Sequence, residues 1–284
     1  MEKIIEKAGV LLEALPYIKT FRHKIFVVKF GGSILMNDNI RLSILRDIVF
    51  LSFVGIRPVL VHGGGPAIDK RMQEHKLQPE FVEGLRVTDK KTIKIVIRAL
   101  SELNRGMVKE IKDLGANASG LAGCEDNLLK VKKHQSESDV GYVGDVVSVN
   151  SAPINRLIRR GTIPVIAPIG IGKKGEPYNV NADEACAHIA SSLGAEKLVL
   201  LTNVKGIARV PDDEETLIST LKFEEAEVLI NEKVIQAGMI PKVRAAIVAL
   251  KGDVKKAHII DGSIDHSLLL EIFTDKGIGT EIVK

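Results

Sequence analysis

An α/β sandwich with right-handed crossovers is the fold class this sequence predicts, on two observations. Short apolar, β-rich runs recur along it: IFVVKF (25–30), PVLVH (58–62), IPVIAPI (163–169), KLVLLTNV (197–204) and AHIID (257–261). Each is nearly continuous rather than alternating, as in parallel strands covered on both faces. Helical patterns separate them, for example IRLSILRDIVFLSFVG (40–55), KTIKIVIRALSELNRGMVKEIKDLG (91–115) and ADEACAHIASSLG (182–194). Strand and helix therefore alternate.

Ahead of the first strand, Ile4, Ala8, Leu11 and Leu15 recur at helical spacing, with Ile5 and Leu12 beside them, until Pro16 interrupts. The pattern predicts an amphipathic leading helix over residues 1–20 whose apolar stripe packs on its own domain or on another subunit. The segment 125–150 differs, with short polar-flanked runs that predict a hairpin insertion. GIGKKGEP (170–177) is rich in glycine and charge and marks a lobe boundary near Ile171 to Pro177, which divides the chain into lobes 21–172 and 173–284.

Composition narrows the function classes. With 284 residues, 45% hydrophobic and 27% charged, the chain is large enough for a substantial core and too large for a disulfide-stapled scaffold. Its net charge of +4 is spread along the sequence, which argues against nucleic acid as the main partner. The two cysteines, Cys124 and Cys186, form no CxxC pair or Cys/His cluster, so neither a zinc site nor a disulfide framework is indicated. Glu2, Glu6 and Glu13 break up any signal-like apolar core, and no run approaches the ~18 apolar residues of a membrane span. A cytoplasmic protein is the expectation.

Two glycine clusters directly follow strands: Lys29-Phe30-Gly31-Gly32-Ser33 and His62-Gly63-Gly64-Gly65-Pro66. Ligands of an open parallel sheet bind beyond the carboxyl ends of its strands, and glycine there lets backbone N–H groups approach an oxyanion. Either cluster alone fits a tight turn; two on one sheet edge point to a phosphate cradle. Lys29 ends a buried strand, where phosphate binding accounts for it better than snorkelling does. Lys242, in AGMIPKVRAAIVAL, is a second cation near a helix start, a placement that is useful when an anion sits between the two. Asp183, in YNVNAD, opens an amphipathic helix, a position more often held by an N-cap than by a catalytic group. Arg86, in EGLRVTD, suits a surface position, and its fork also suits a substrate carboxylate.

Other chemistries find no support. The chain has no GxxxxGK[ST], and its one GxGxxG, at Gly170, Gly172 and Gly175, runs into Glu-Pro-Tyr-Asn rather than into a helix. No nucleophile elbow or Ser/His/Asp spacing is visible.

VVKFGGS, VHGGGP, GLRVTD, YNVNAD, LLTNVKGI, GMIPKV and LLLEIFTDKGIGT occur in the order found in the acetylglutamate kinases of the amino acid kinase family, which this sequence resembles over essentially its whole length. KFGG, HGGGP and NAD mark the wider family; GLRVTD with NVNAD and GMIPKV is more specific to this branch. The resemblance implies a three-layer αβα sandwich around a mostly parallel, roughly eight-stranded sheet. It also implies an N-terminal lobe that binds the amino-acid substrate and dimerises, and a C-terminal lobe that binds ATP.

On matching positions, Lys29 and Lys242 would stabilise the transferring phosphoryl group and Asp183 would orient both lysines. Gly31, Gly32 and Gly64 would donate backbone N–H groups to phosphate. Gly64, Gly65, Arg86 and Asn179 would hold N-acetyl-L-glutamate, and Asn181 would support the Asp183 turn. Mg²⁺ would be held by ATP oxygens and water more than by a protein cage. Members inhibited by L-arginine have a leading helix that interlaces dimers into a hexameric ring. DHSLLLEIFTDKGIGT resembles their arginine-site segment, which implies a homo-hexamer, a trimer of dimers, with Tyr17, Lys197, His266, Glu271, Gly277 and Gly279 at an arginine site.

Departures from the family pattern are Ala237 in place of the usual glycine before GM, Asn203 in place of aspartate in TDV, Ser263 in place of arginine in IIDGR, and Cys124 with Glu125 in a GLSGKDG-like turn. Two further readings stand beside this one: a kinase of aminoadipate derivatives, whose sequences usually depart from GLRVTD, and a catalytically silent amino-acid sensor. The joint presence of Lys29, Lys242 and Asp183 argues against the sensor.

Overall fold

The computed structural model describes residues 9, 12–210, 213–236 and 238–284. Its first half runs α1 (Leu15–Phe21), β1 (Ile25–Phe30), α2 (Asp38–Phe53), β2 (Arg57–His62), α3 (Gly65–Glu74), β3 (Phe81–Val82), β4 (Leu85–Arg86), α4 (Thr92–Asp113) and β5 (Ala118–Ala122). Next come β6 (Leu129–Lys133), β7 (Gly144–Val149), α5 (Ala152–Arg159), β8 (Ile163–Ala167), β9 (Ile169–Ile171), β10 (Pro177–Asn179) and α6 (Ala182–Ser192). The chain ends with β11 (Lys197–Thr202), β12 (Thr220–Lys222), α7 (Phe223–Asn231), α8 (Met239–Lys251), β13 (Lys256–Asp261), α9 (Ser267–Ile272) and β14 (Thr280–Val283).

An eight-stranded sheet in the order β12-β14-β13-β11-β1-β2-β8-β5 forms the middle layer, and β13 with β14 is its one antiparallel pairing. Because successive side chains of a strand point to opposite faces, β1 splits its apolar residues between two cores. Val27 joins the core with α5, α6, α7 and α8, whereas Phe26, Val28 and Phe30 join the one with α2, α4 and α9. Both faces are covered, which is why the strands read as continuous apolar runs. The αβα sandwich expected from the sequence is the observed architecture.

The expected hairpin at 125–150 is β6 and β7, paired antiparallel, and β6 also joins β9 and β10 in a separate four-stranded sheet. The glycine-rich 170–177 segment is the tight turn of the antiparallel β9–β10 pair, where Gly172 N donates to Glu176 O at 2.8 Å. Its glycines serve a hairpin, consistent with the absence of a helix after Gly175. No described helix is long and apolar enough to cross a membrane.

At the N-terminal end, Pro16 lies in the first turn of α1, so the proline that interrupts the sequence pattern opens this helix. Leu12 and Leu15 are exposed. Ile4, Ile5, Ala8 and Leu11 of the expected stripe lie outside the described residues, as does Ala237.

Candidate active site

Parallel pairing of β1 and β2, with Lys29 opposite Val61 and Phe30 opposite His62, brings both glycine clusters off the sheet side by side. Gly63 N donates to Phe30 O at 2.8 Å. A Cβ on Gly31 would stand 3.1 Å from Gly63 Cα and N, so the two backbones touch and a side chain would force them apart. Gly32 adopts φ 73°, a left-handed conformation that glycine enters without strain. Gly64 has a packing reason of its own, since a Cβ there would collide with Leu100 on α4. Gly65 opens α3 with Pro66 in its first turn, so the unpaired N–H groups of that helix start face the same end of the sheet.

His62 holds the second loop. Fully buried, it donates Nδ1–H to Gly63 O (2.9 Å) and accepts from Asn104 Nδ2 at Nε2 (3.1 Å). The Asn104 amide also donates to Val165 O on β8 (2.9 Å). Burial pushes the His62 pKa down to about 4, so the ring is neutral and held in one tautomer.

Asp183 sits at the second position of α6. The N-cap is Asn181, whose Oδ1 accepts from Asp183 N (2.8 Å) and Glu184 N (3.2 Å), so the Asp183 side chain is free of the capping role its sequence position favoured. Its carboxylate lies between Lys29 Nζ, 2.9 Å from Oδ1, and Lys242 Nζ, 3.0 Å from Oδ2. Lys242 makes a hydrogen bond, whereas Lys29 meets Oδ1 as a charge contact outside hydrogen-bonding angles. Burial alone would raise the Asp183 pKa, but the two ammonium groups more than offset it and hold the carboxyl below its usual range. Lys242 belongs to the first turn of α8.

Arg86 closes the β3–β4 ribbon, whose two turn residues, Glu83 and Gly84, both have positive φ, as a two-residue I′ hairpin requires. Its buried guanidinium meets Asp69 (Nη1–Oδ1 2.6 Å), reaches Gly65 O (3.5 Å) and lies 4.7 Å from the Phe81 ring centroid. Thr88 joins this segment to the helix start: its Oγ1 donates to Arg86 O (2.8 Å) and accepts from Asn179 Nδ2 (3.4 Å). Asn179 ends β10 two residues before Asn181. A polar line thus runs from Arg86 through Thr88 and Asn179 to the turn bearing Asp183.

Beyond the ends of β11 and β13 lies a cleft of about 420 Å³, lined among others by Asn203, Gly206, Leu217, Ile235, Met239 and Asp261. Met239 opens α8, the helix that carries Lys242 three residues later. Ser263 donates both N–H (2.8 Å) and Oγ–H (2.6 Å) to Asp261 Oδ1, and Asn203 Oδ1 accepts from Thr202 Oγ1 (3.4 Å). Cys124 is half-buried just before the tight turn Glu125–Asn127, in which Asp126 and Asn127 have positive φ.

Four of the six residues at the second expected site come together. Lys197 Nζ donates to His258 Nε2 (2.8 Å), and His258 Nδ1–H donates to Glu271 Oε1 (2.6 Å). Glu271 Oε2 accepts from Ile278 N (2.7 Å) and Gly279 N (3.2 Å). The space beside Gly277 is taken by the Glu271 carboxylate itself. Burial lowers the pKa of both Lys197 and His258, whereas Glu271 is held low because its hydrogen bonds outweigh its own burial. Tyr17 packs edge-on against Phe273 and donates to Asp275. His266 pairs instead with Asp47 (2.7 Å), whose pKa burial raises to about 6.

His62 figures in the sequence analysis only as the start of a glycine cluster, with no role of its own, and Asn104, Asp69 and His258 have none there. The one signal for His258 is a histidine within a buried strand run; Asn104 and Asp69 give none.

A family model described as "Amino acid kinase family" matches residues 24–261. The chain is 46% identical over 295 residues to the acetylglutamate kinase of Heliobacterium modesticaldum, covering all of both chains. It is 50% identical over 281 residues to that of Petrotoga mobilis, covering 99% of this chain and 94% of the relative. Among solved structures it is similar to the N-acetylglutamate synthase of Neisseria gonorrhoeae. With coenzyme A and N-acetyl-glutamate bound, that protein matches at TM-score 0.85 and 30% identity, over 98% of this chain and 63% of the synthase. With coenzyme A and L-arginine bound, the TM-score is 0.83 at 29% identity, over 98% and 65%. The chain therefore spans somewhat less than two thirds of the synthase. Full-length identity to acetylglutamate kinases, the match to the family model and the αβα sandwich agree: the chain belongs to the amino acid kinase family, in its acetylglutamate kinase branch.

Proposed function

We propose that this chain transfers the γ-phosphoryl group of ATP to the side-chain carboxylate of N-acetyl-L-glutamate, forming an acyl phosphate and ADP as a step of arginine biosynthesis. The observation that carries this reading is the Asp183 carboxylate held between Lys29 and Lys242 beside two glycine loops, in a chain about half identical to acetylglutamate kinases.

The chemistry follows from the charges. A carboxylate oxygen attacks the γ-phosphorus as the bond to the β-phosphate oxygen breaks. The nucleophile is already ionised near neutral pH, so no base is needed. What the reaction needs is alignment and positive charge. Lys29 and Lys242 supply that charge to the transferring group, and Asp183 sets their positions. Backbone N–H groups of Gly31, Gly32 and Gly64 face the phosphates. Arg86 and Asn179, with Gly64 and Gly65, hold the acetylglutamate, and Asn181 fixes the start of α6. The cleft at Gly206, Met239 and Asp261 takes the nucleotide. Among the described residues no group of three or more acidic, histidine or cysteine side chains is arranged to hold a metal, and both Asp183 oxygens face lysines. A Mg²⁺ accompanying ATP would be held by phosphate oxygens and water more than by a protein cage.

The same reading extends to a cytoplasmic homo-hexamer, a trimer of dimers inhibited by L-arginine at Lys197, Glu271, Gly277 and Gly279, with Tyr17 and His266 nearby. The buried Lys197–His258–Glu271 chain and the arginine complex of the similar synthase support it. The activity is tested by trapping the product with hydroxylamine. Hydroxamate formed only with both ATP and acetylglutamate is the expected result, and none in the presence of both would overturn the reading.

A further inference from the structure

Asp69, Gly65 and Met72 lie on one stripe of α3, spaced four and three residues apart, and the Arg86 guanidinium lies along that stripe. Nη1 is 2.6 Å from Asp69 Oδ1 and 3.4 Å from Met72 Sδ, while Nη2 makes only the long contact to Gly65 O at 3.5 Å. Phe81 covers one face of the fork. Among the described residues, Nε–H has no partner. In a guanidinium, Nη1 is cis to Cδ, so Nε–H and the outer Nη2–H project from one edge, the edge able to hold both oxygens of a carboxylate. The contacts to Asp69 and Met72 thus fall on the Nη1 side and leave the paired edge holding only the long Nη2 contact to Gly65 O.

Asp69 itself is unusual. Its side chain is 35% exposed, yet Oδ1 is buried and has no partner in hydrogen-bonding geometry, although it stands beside Nη1. A negative charge so close to a site for an anionic substrate is unfavourable unless it does something for that site.

We propose that Asp69 is a positioning residue that anchors the Nη1 side of Arg86, so that the Nε/Nη2 edge faces the substrate carboxylate. The proposal rests on the reading of Arg86 as the carboxylate-binding residue. Asp69 touches neither substrate nor phosphate and acts through the orientation of the fork, so its effect falls on one substrate only.

The test is steady-state kinetics on Asp69→Asn, Asp69→Glu and Arg86→Ala, with melting temperatures measured alongside. Asp69→Asn keeps the shape and removes the charge. It raises KM for acetylglutamate roughly tenfold while kcat and KM for ATP stay within about twofold. Asp69→Glu restores a charge to the same helix face and recovers most of that loss. An unchanged or lower KM in Asp69→Asn overturns the proposal, and a lower one means that Asp69 merely repels the substrate. Equal losses in every parameter together with a fallen melting temperature also overturn it, in favour of a structural role. If Arg86→Ala raises KM while Asp69→Asn does not, the reading of Arg86 stands and only this inference falls; if Arg86→Ala leaves KM unchanged, both fall.

Discussion

Lys29 on β1 and Asp183 on α6 form a 2.9 Å ion pair whose side chains are 9% and 8% exposed. A pair this dry would be hard to sustain alone, because taking charges out of water is expensive. Lys242 makes it a triad, 3.0 Å from the other oxygen of the same carboxylate. Two cations on one anion leave a single surplus positive charge at the end of the sheet, next to the two glycine loops. Such an arrangement is ready for an anion.

Replacing either lysine should therefore impair the chemistry more than the fold. Lys29→Ala and Lys242→Ala are each expected to lower kcat by two orders of magnitude or more, in line with ~3 kcal/mol for one lost transition-state donor. Far-UV circular dichroism should be unaltered. Near-normal turnover in either variant would remove that lysine from the mechanism.

Arg86→Ala separates the two substrates. With its fork gone, an acetylglutamate carboxylate is left uncompensated, so KM for acetylglutamate should rise far more than KM for ATP. Equal effects on both would place Arg86 elsewhere in the site.

The buried ring of His62 gives a pH dependence of known sign. Its pKa is about 4 in the folded chain and about 6.5 when unfolded. Between these values the unfolded state takes up a proton that the folded state does not. The contribution is fully present above about pH 6.5 and falls away toward pH 4, by about 3 kcal/mol in all. Nitrogen NMR of the labelled ring should show neutral His62, protonated at Nδ1, at pH 5.5. Titration near 6.5 in the folded protein would refute this.

The leading segment bears on regulation rather than chemistry. Tyr17 on α1 contacts Phe273 and Asp275, close after Glu271, so α1 connects directly to the segment proposed to bind arginine. Deleting residues 1–20 is expected to leave an active dimer with a weakened arginine response, read by sedimentation and inhibition curves. A full-length protein that sediments as a dimer and ignores millimolar arginine would contradict the regulatory reading alone.

The sequence carried the layers well, because strands buried on both faces must be apolar throughout, as Phe26, Val27 and Val28 are. It carried the lysines and Asp183 through motifs, but it assigned the capping tendency to Asp183. In the folded chain Asn181 takes that role, a choice that depends on backbone angles no composition encodes. Pro16 looks like an interruption in the sequence because a proline inside a periodic pattern and one in a first turn are alike along the chain. Asp69 and Asn104 were invisible for a different reason. Their partners, Arg86 and His62, are distant in sequence, and such pairings exist only after the sheet and α3 and α4 are assembled.

Substrate choice tests the central claim most directly. ADP release should be measured with acetylglutamate, glutamate, aspartate and aminoadipate at equal concentration. Clear preference for acetylglutamate is the predicted result. Preference for aminoadipate would move the chain to the other carboxylate-kinase reading, and turnover of none of the four would contradict the kinase account and favour a silent sensor.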